Sequence, residues 1–321
     1  MAKKTAGIGA LALAGWPGWL AACVSVGGML FFAVVIPQPS IGVPNLGDGL
    51  IKPKEIEMIS SVAKLRQLFT RIEYSLEAVR AGERTVPPLF LAAVPAGMQQ
   101  IEEIEERKRV FLRMILPLVL KANDHVAKSR ERLLAIHRAR GEGKVPTGED
   151  RRYMARLAVE YGLGKPDLGR LLLQVDAVPV SLALAQSAIE SGWGTSRFVE
   201  LGNATFGQWT TADYEGIVPD ARPDGATYKV RSFQHLFDSV RSYIHNLNTH
   251  AAYSAFRQAR AAMRSGGRKL DSLELASTLV AYSQEGEAYL ALLRQVIVTE
   301  RLVPFDRARL GERVPLQGPD A

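Results

Sequence analysis

The chain has 321 residues, of which 47% are hydrophobic, 23% charged and 7% aromatic, the mix of a globular protein long enough for two average domains or one with additions. A mean hydropathy near zero excludes a multi-span membrane protein, and a single cysteine excludes a disulfide framework and a multi-cysteine metal site. The net charge of +7 favours an anionic partner, but the basic residues are dispersed and no nucleic-acid-reading motif is present, so nucleic acid is not expected.

Lys3 and Lys4 precede an uncharged run from Thr5 to Gly47 that is apolar through Ile36. The run outlasts the ~7 to 15 residue core of a cleavable signal peptide. At ~1.5 Å per residue, Ala10 to Ile36 is long enough to cross a ~30 Å hydrocarbon layer, with Pro17 and several glycines as points of bending. It reads as a membrane anchor whose short basic end stays in the cytoplasm, placing everything after Gly47 outside. Leu20-Ala21-Ala22-Cys23 resembles a bacterial lipoprotein box, so acylation of Cys23 is the alternative attachment. Pro37 to Pro53, rich in proline and glycine, reads as a tether.

From Lys54 onward, Ile59, Val62, Leu65, Phe69, Ile72, Leu76 and Val79 form the stripe of an amphipathic helix, which Val86-Pro87-Pro88 interrupts. A second helix is expected from about Met98 to Arg140, with Pro117 as a kink or boundary. Its charged EEIEERKRV reads as a solvated face. Gly141 to Asp150, GEGKVPTGED, is an internal linker. Helical spacing then recurs near 150–162, 167–174, 180–190, 236–248, 251–264, 271–281 and 286–298. Phe206 to Phe233 differs, and its Trp209, Tyr214, Ile217, Val218, Tyr228 and Val230 around PDARPDG predict a small hairpin or sheet.

Ser181 to Glu190, SLALAQSAIE, places Leu182, Ala185 and Ile189 on an inward face, and Gly192 ends the helix. Glu190 thus stands at a helix carboxyl end, where the macrodipole disfavours negative charge. Trp193, Phe206 and Trp209 are close in sequence, and walls made of them would desolvate the carboxyl and raise its pKa further. A carboxylic acid that keeps its proton near neutrality is what the general acid of glycoside hydrolysis requires.

Ala185 to Phe198 reads AQSAIESGWGTSRF, and Gly202 to Trp209 reads GNATFGQW. These motifs resemble the glucosaminidase family of bacterial cell-wall hydrolases, the mannosyl-glycoprotein endo-beta-N-acetylglucosaminidase or flagellar type, and most closely its Bax-like branch. The similarity continues through FDSVRSYIHNLNTH, Phe237 to His250, and AYSQEGEAYL within Leu279 to Val296. The earlier ERKRVFLRMILPLVLKAN, Glu106 to Asn123, is similar to the branch's membrane-proximal helix.

The resemblance implies a mainly α fold with a small β-hairpin lobe, an α+β lysozyme-like catalytic domain. On that basis residues 1–47 are the transmembrane or signal segment, 48–147 a helical membrane-proximal region, 148–303 the catalytic domain and 304–321 a tail. The implied activity is cleavage of the β-1,4 bond after N-acetylglucosamine in peptidoglycan glycan strands, by a domain held outside the bacterial inner membrane. Glu190 would be the proton donor. Tyr282 matches a family tyrosine that positions the sugar or water, while Phe206, Trp209 and Ser191 would contact substrate and Trp193 would pack beneath the catalytic helix. No metal or other cofactor is implied.

A second carboxylate is expected from the hairpin, where Asp213, Glu215 and Asp224 are available and Glu215 leads because it neighbours Tyr214. The substrate's own acetamido group is the other route. A lytic transglycosylase or muramidase, and a non-catalytic peptidoglycan-binding scaffold, are the rival functions. His245 and His250 lie five residues apart, off the four-residue spacing of two ligands on one helix face, and read as structural. Asn203-Ala204-Thr205 fits a glycosylation sequon and reads as coincidence in a bacterial wall enzyme.

Overall fold

The computed structural model describes residues 50–210, 216–220, 222 and 225–312, without the side chain of Pro53. The expected anchor and tether before residue 50, Cys23, the carboxylates Asp213, Glu215 and Asp224, and the end of the tail all lie outside the described residues. Among the described residues, no helix is long and apolar enough to cross a membrane. The architecture is mainly helical with two small sheets, an α+β organisation.

A 3-10 turn at Pro53–Glu55 leads into strand β1, Ile56–Glu57. The apolar stripe that follows makes two helices rather than one, α1 over Val62–Arg71 and α2 over Leu76–Ala81. Ser75 divides them, because its hydroxyl accepts the Ala78 N–H and starts a new helix, while Glu73 turns the chain at φ +50°. Strand β2, Phe90–Leu91, pairs in parallel with β1. Met98–Gln100 forms a separate 3-10 turn, and α3 runs over Ile104–Gly141.

Helix α3 passes through Pro117 without ending. The proline forfeits one N–H bond to the carbonyl of Arg113. Every residue from Met114 to Leu120 is buried, so packing on all sides holds the helix together there. Helix α4, Gly148–Glu160, opens with a capping box between Thr147 and Asp150. Helices α5, Leu168–Gln174, α6, Val180–Ser191, and α7, Arg197–Gly202, follow. The expected hairpin is a three-stranded antiparallel sheet of β3, Trp209–Thr210, β4, Gly216–Ile217, and β5, Lys229–Arg231. Its order is β3-β5-β4, with Val230 facing both Trp209 and Ile217. The remaining helices are α8, Leu236–Thr249, α9, Ser254–Ser265, α10, Ser272–Ala276, and α11, Glu287–Thr299, with 3-10 turns at Ala251–Tyr253, Val280–Tyr282 and Val303–Arg307.

Helix α6 lies at the centre, buried continuously from Val180 to Ala188 and enclosed by α3, α10, α11 and the 303–307 turn. Helix α3 also packs along α8. One hydrophobic core therefore runs across the 142–147 linker, joining Val110, Phe111, Met114 and Leu118 to Leu182, Leu184, Val240 and Ile244. Behind it, fully buried Arg260 donates to the carbonyls of Asp176, Ala177, Leu173 and Gln174, tying α9 to the segment that leads into α6.

Candidate active site

The site is built on the carboxyl end of α6, and both ends of that helix are fixed. At its amino end no side chain caps from Pro179; instead Asp306, from the 303–307 turn, accepts the Ser181 N–H at 2.8 Å and the Ser181 hydroxyl at 2.8 Å. A carboxylate there satisfies an orphan donor and complements the positive end of the dipole. At the carboxyl end Gly192 takes the left-handed conformation and Trp193 N–H returns to the Ala188 carbonyl.

The turn continues left-handed through Trp193, φ +57°, and Gly194, φ +79°. A Cβ at Gly194 would come 2.9 Å from the Phe111 ring, so α3 leaves no room for a side chain. Trp193 holds its unusual backbone by packing edge-on against Phe111, centroids 5.9 Å apart, beneath the Lys108 ammonium. It therefore packs against α3, the helix that precedes the linker.

Glu190 is half-buried, and its carboxyl faces a cluster of tyrosines. Gln186, one turn earlier on α6 and fully buried, organises them. The Tyr243 hydroxyl donates to Gln186 Oε1 at 2.7 Å, and Gln186 Nε2 donates to the Tyr289 hydroxyl at 2.9 Å. Tyr289 is left with its own proton, which it donates to the Glu190 carboxylate. Burial drives the Glu190 pKa up to about 8; the Tyr289 hydrogen bond opposes this, and the charge of Glu285 adds to it. The carboxyl thus carries its proton at neutral pH.

The walls differ from the expected aromatic trio. Phe206 is buried and stacks on Tyr243, centroids 3.9 Å apart, so its ring belongs to the core and reaches Glu190 through Tyr243. Tyr282 is buried too, lies parallel to Tyr289 at 5.6 Å, and directs its hydroxyl toward the Phe206 carbonyl at 3.4 Å. Trp209, half-buried on β3, packs against Tyr228. Ser191, expected at the sugar, is instead fully buried: its hydroxyl donates to the Ser187 carbonyl at 2.6 Å and accepts the Gly194 N–H at 3.0 Å, holding the turn.

The GNATFG segment explains itself residue by residue. Asn203, left-handed at φ +53° and nearly buried, donates to the Phe233 and Gln234 carbonyls, which accounts for the Asn without any glycan. Thr205 bonds Ser239 of α8 through its N–H and its hydroxyl. Gly207 is left-handed at φ +57°, and a Cβ there would stand 3.3 Å from Glu190 Oε2. Backbone thus closes directly over the acid.

His245 Nε2 bonds the Glu160 carbonyl at 2.8 Å, and His250 Nδ1 accepts the Ala252 N–H at 3.2 Å, so each ring is engaged by backbone. Of the residues around Glu190, the sequence reading missed Gln186, Tyr243, Tyr289 and Glu285. The i, i+4 spacing of Gln186 and Glu190 on a buried helix was the available signal for the first.

The sequence profile of the family described as mannosyl-glycoprotein endo-beta-N-acetylglucosaminidase matches residues 169–298, a span that holds Glu190 and its tyrosines. Protein bax of Escherichia coli (strain K12) is 30% identical over 189 residues. That stretch is 57% of this chain and 66% of that protein, so the chain spans just under two thirds of the relative's length.

Proposed function

Because the chain belongs to the glucosaminidase family, we propose that it is a peptidoglycan hydrolase that cuts the β-1,4 bond after N-acetylglucosamine, with Glu190 as general acid. The observation that carries the reading is the placement of the Glu190 carboxyl within a tyrosine cluster at a helix carboxyl end, where burial raises its pKa to about 8. As the glycosidic bond stretches, Glu190 gives its proton to the leaving oxygen and becomes a carboxylate. Tyr289 donates to that carboxylate, lowering the cost of releasing the proton. The exposed Glu285 adds negative potential, which favours the oxocarbenium-like transition state. Tyr282 supports Tyr289 by stacking and Trp209 offers a half-buried face to a sugar.

The second step would fall to Glu215, which precedes β4 in the sequence, or to the substrate's acetamido group. The apolar run behind Lys3 and Lys4 supports a lysozyme-like domain tethered outside the inner membrane, beside the glycan strands. A lytic transglycosylase is the second reading, since a single acid at a helix carboxyl end followed by Ser191 would serve that reaction equally.

Digestion of purified peptidoglycan by the protein and by its Glu190→Gln variant, with products identified by mass spectrometry, separates these readings. Reducing N-acetylglucosamine ends that vanish in the variant are expected. Anhydro-muramic ends would assign the transglycosylase, and full activity in the variant would remove Glu190 from the chemistry.

A further inference from the structure

A second recess lies on the helices before the linker, and its walls include none of the residues around Glu190. Two cavities, of about 470 Å³ and 560 Å³, share Glu73, Tyr74, Ser75 and Arg84. Tyr74 is only 3% exposed, and among the described residues its hydroxyl has no hydrogen-bond partner. Arg113, from α3, lines the larger cavity with it, and the Arg113 Nε is likewise shielded from solvent and without a hydrogen-bond partner among the described residues. Its guanidinium rests over the Phe69 ring at 5.4 Å. The neighbouring arginines are paired, Arg66 with Glu106 at 3.0 Å and Arg84 with Glu73 at 2.7 Å.

A buried donor without an acceptor costs about 1–3 kcal/mol, and native proteins keep few of them. Here two line one cavity. Burial pushes the Tyr74 phenol far above its usual range, so it keeps its proton and can donate. Both groups therefore call for an acceptor, and the Arg113 charge favours an anionic one. The smaller cavity is of another kind: Ile72, Val79 and Leu89 line it beside the acids Glu57, Glu83 and Glu312. With Tyr74 in the wall common to both, the recess offers donors on one side and an apolar, acid-rimmed chamber on the other.

We propose that this recess binds the carboxylate end of a short peptide, with Tyr74 Oη and Arg113 Nε donating to the carboxylate and the acid-rimmed chamber taking an amino-bearing side chain. The peptide class rests on the wall-hydrolase reading, since the glycan of the wall carries peptide stems. The carboxylate class rests on the two donors.

The test is calorimetric titration of the full chain with the dipeptide Lys-D-Ala, with its carboxyl-terminal amide, and with inorganic phosphate. The dipeptide is expected to bind, and the amide about tenfold more weakly or worse, the loss of at least one charge-assisted hydrogen bond. Arg113→Met should weaken the dipeptide at least as much, and Tyr74→Phe by about three- to tenfold, with melting curves confirming that each variant folds. Should Arg113→Met fail to fold, Tyr74→Phe and the amide comparison still decide. Equal binding of dipeptide and amide, unchanged binding in folded Tyr74→Phe, or phosphate binding as tightly as the dipeptide overturns the proposal. Glu190→Gln should bind the dipeptide like the parent, and a parent protein that binds the dipeptide yet releases nothing from peptidoglycan would count against the hydrolase reading alone.

Discussion

Gln186 and Glu190 stand one turn apart on α6, and the Gln186 amide fixes which way the proton of the tyrosine beside Glu190 points. Its Oε1 is occupied by the Tyr243 hydroxyl and its Nε2 by the Tyr289 oxygen, so Tyr289 has one direction left in which to donate. That direction is the Glu190 carboxylate. A buried amide thus sets the hydrogen bond that steadies the acid after it has given up its proton.

Tyr289→Phe removes a hydrogen bond that favours the charged form of Glu190, so the carboxyl pKa rises. The alkaline limb of the pH–rate profile is expected to move to higher pH. The maximal rate should fall by about tenfold, the scale of one hydrogen bond to a charged group. A limb that moves downward contradicts the assigned donor.

Glu285→Gln acts in the opposite sense. Its negative charge raises the Glu190 pKa, so neutralising it should shift the alkaline limb to lower pH. Glu285 is exposed, and salt should screen the effect. Parent and variant profiles are expected to converge at high ionic strength, and a separation that persists there contradicts a through-solvent charge.

The raised pKa also costs stability. The folded state holds the Glu190 proton up to about pH 8, whereas an ordinary carboxyl releases it near 4.5. Between those values the folded state binds more protons than the unfolded state, so stability is lost as pH rises through the window. Glu190→Gln escapes this, and should be more stable than the parent at pH 8 by about 4–5 kcal/mol, from ~1.4 kcal/mol per pKa unit between 4.5 and about 8. The gap should close toward pH 4.5 in thermal melts. A variant no more stable than the parent at pH 8 contradicts the burial of the carboxyl.

Residues 148–321 alone should not fold. They lack α3, whose Val110, Phe111, Met114, Ile115 and Leu118 are fully buried, and α3 is the neighbour of both α6 and α8. Each such side chain contributes about 1.5–3 kcal/mol on burial. The fragment is expected to give no cooperative melt, and a sharp transition near that of residues 54–321 would show a self-sufficient domain.

Local pattern made part of this legible. The helix ending at Gly192 and the acid on its last turn follow from spacing and caps, whereas the raised pKa of that acid comes first from burial. What escaped is contact at long range. Tyr243 and Tyr289 lie 57 and 103 residues from Gln186, and no periodicity announces that pairing. Trp193 likewise has its partner Phe111 on a helix beyond the linker, a contact that local pattern does not show. GEGKVPTGED marks a turn between α3 and α4, and composition alone does not reveal that the core continues across it. The stripe from Ile59 to Val79 kept its period while Ser75 restarted the helix, because a single side-chain cap outweighs continuity of apolar spacing.

The most direct measurement is the titration of the Glu190 carboxyl itself, by carbon-13 NMR of glutamate-labelled protein with the resonance assigned by its absence in Glu190→Gln. A midpoint near 8 is predicted, the mark of an acid still armed at neutral pH. A midpoint near the ordinary 4.5 would leave a carboxylate with no proton to give, and would contradict Glu190 as the general acid.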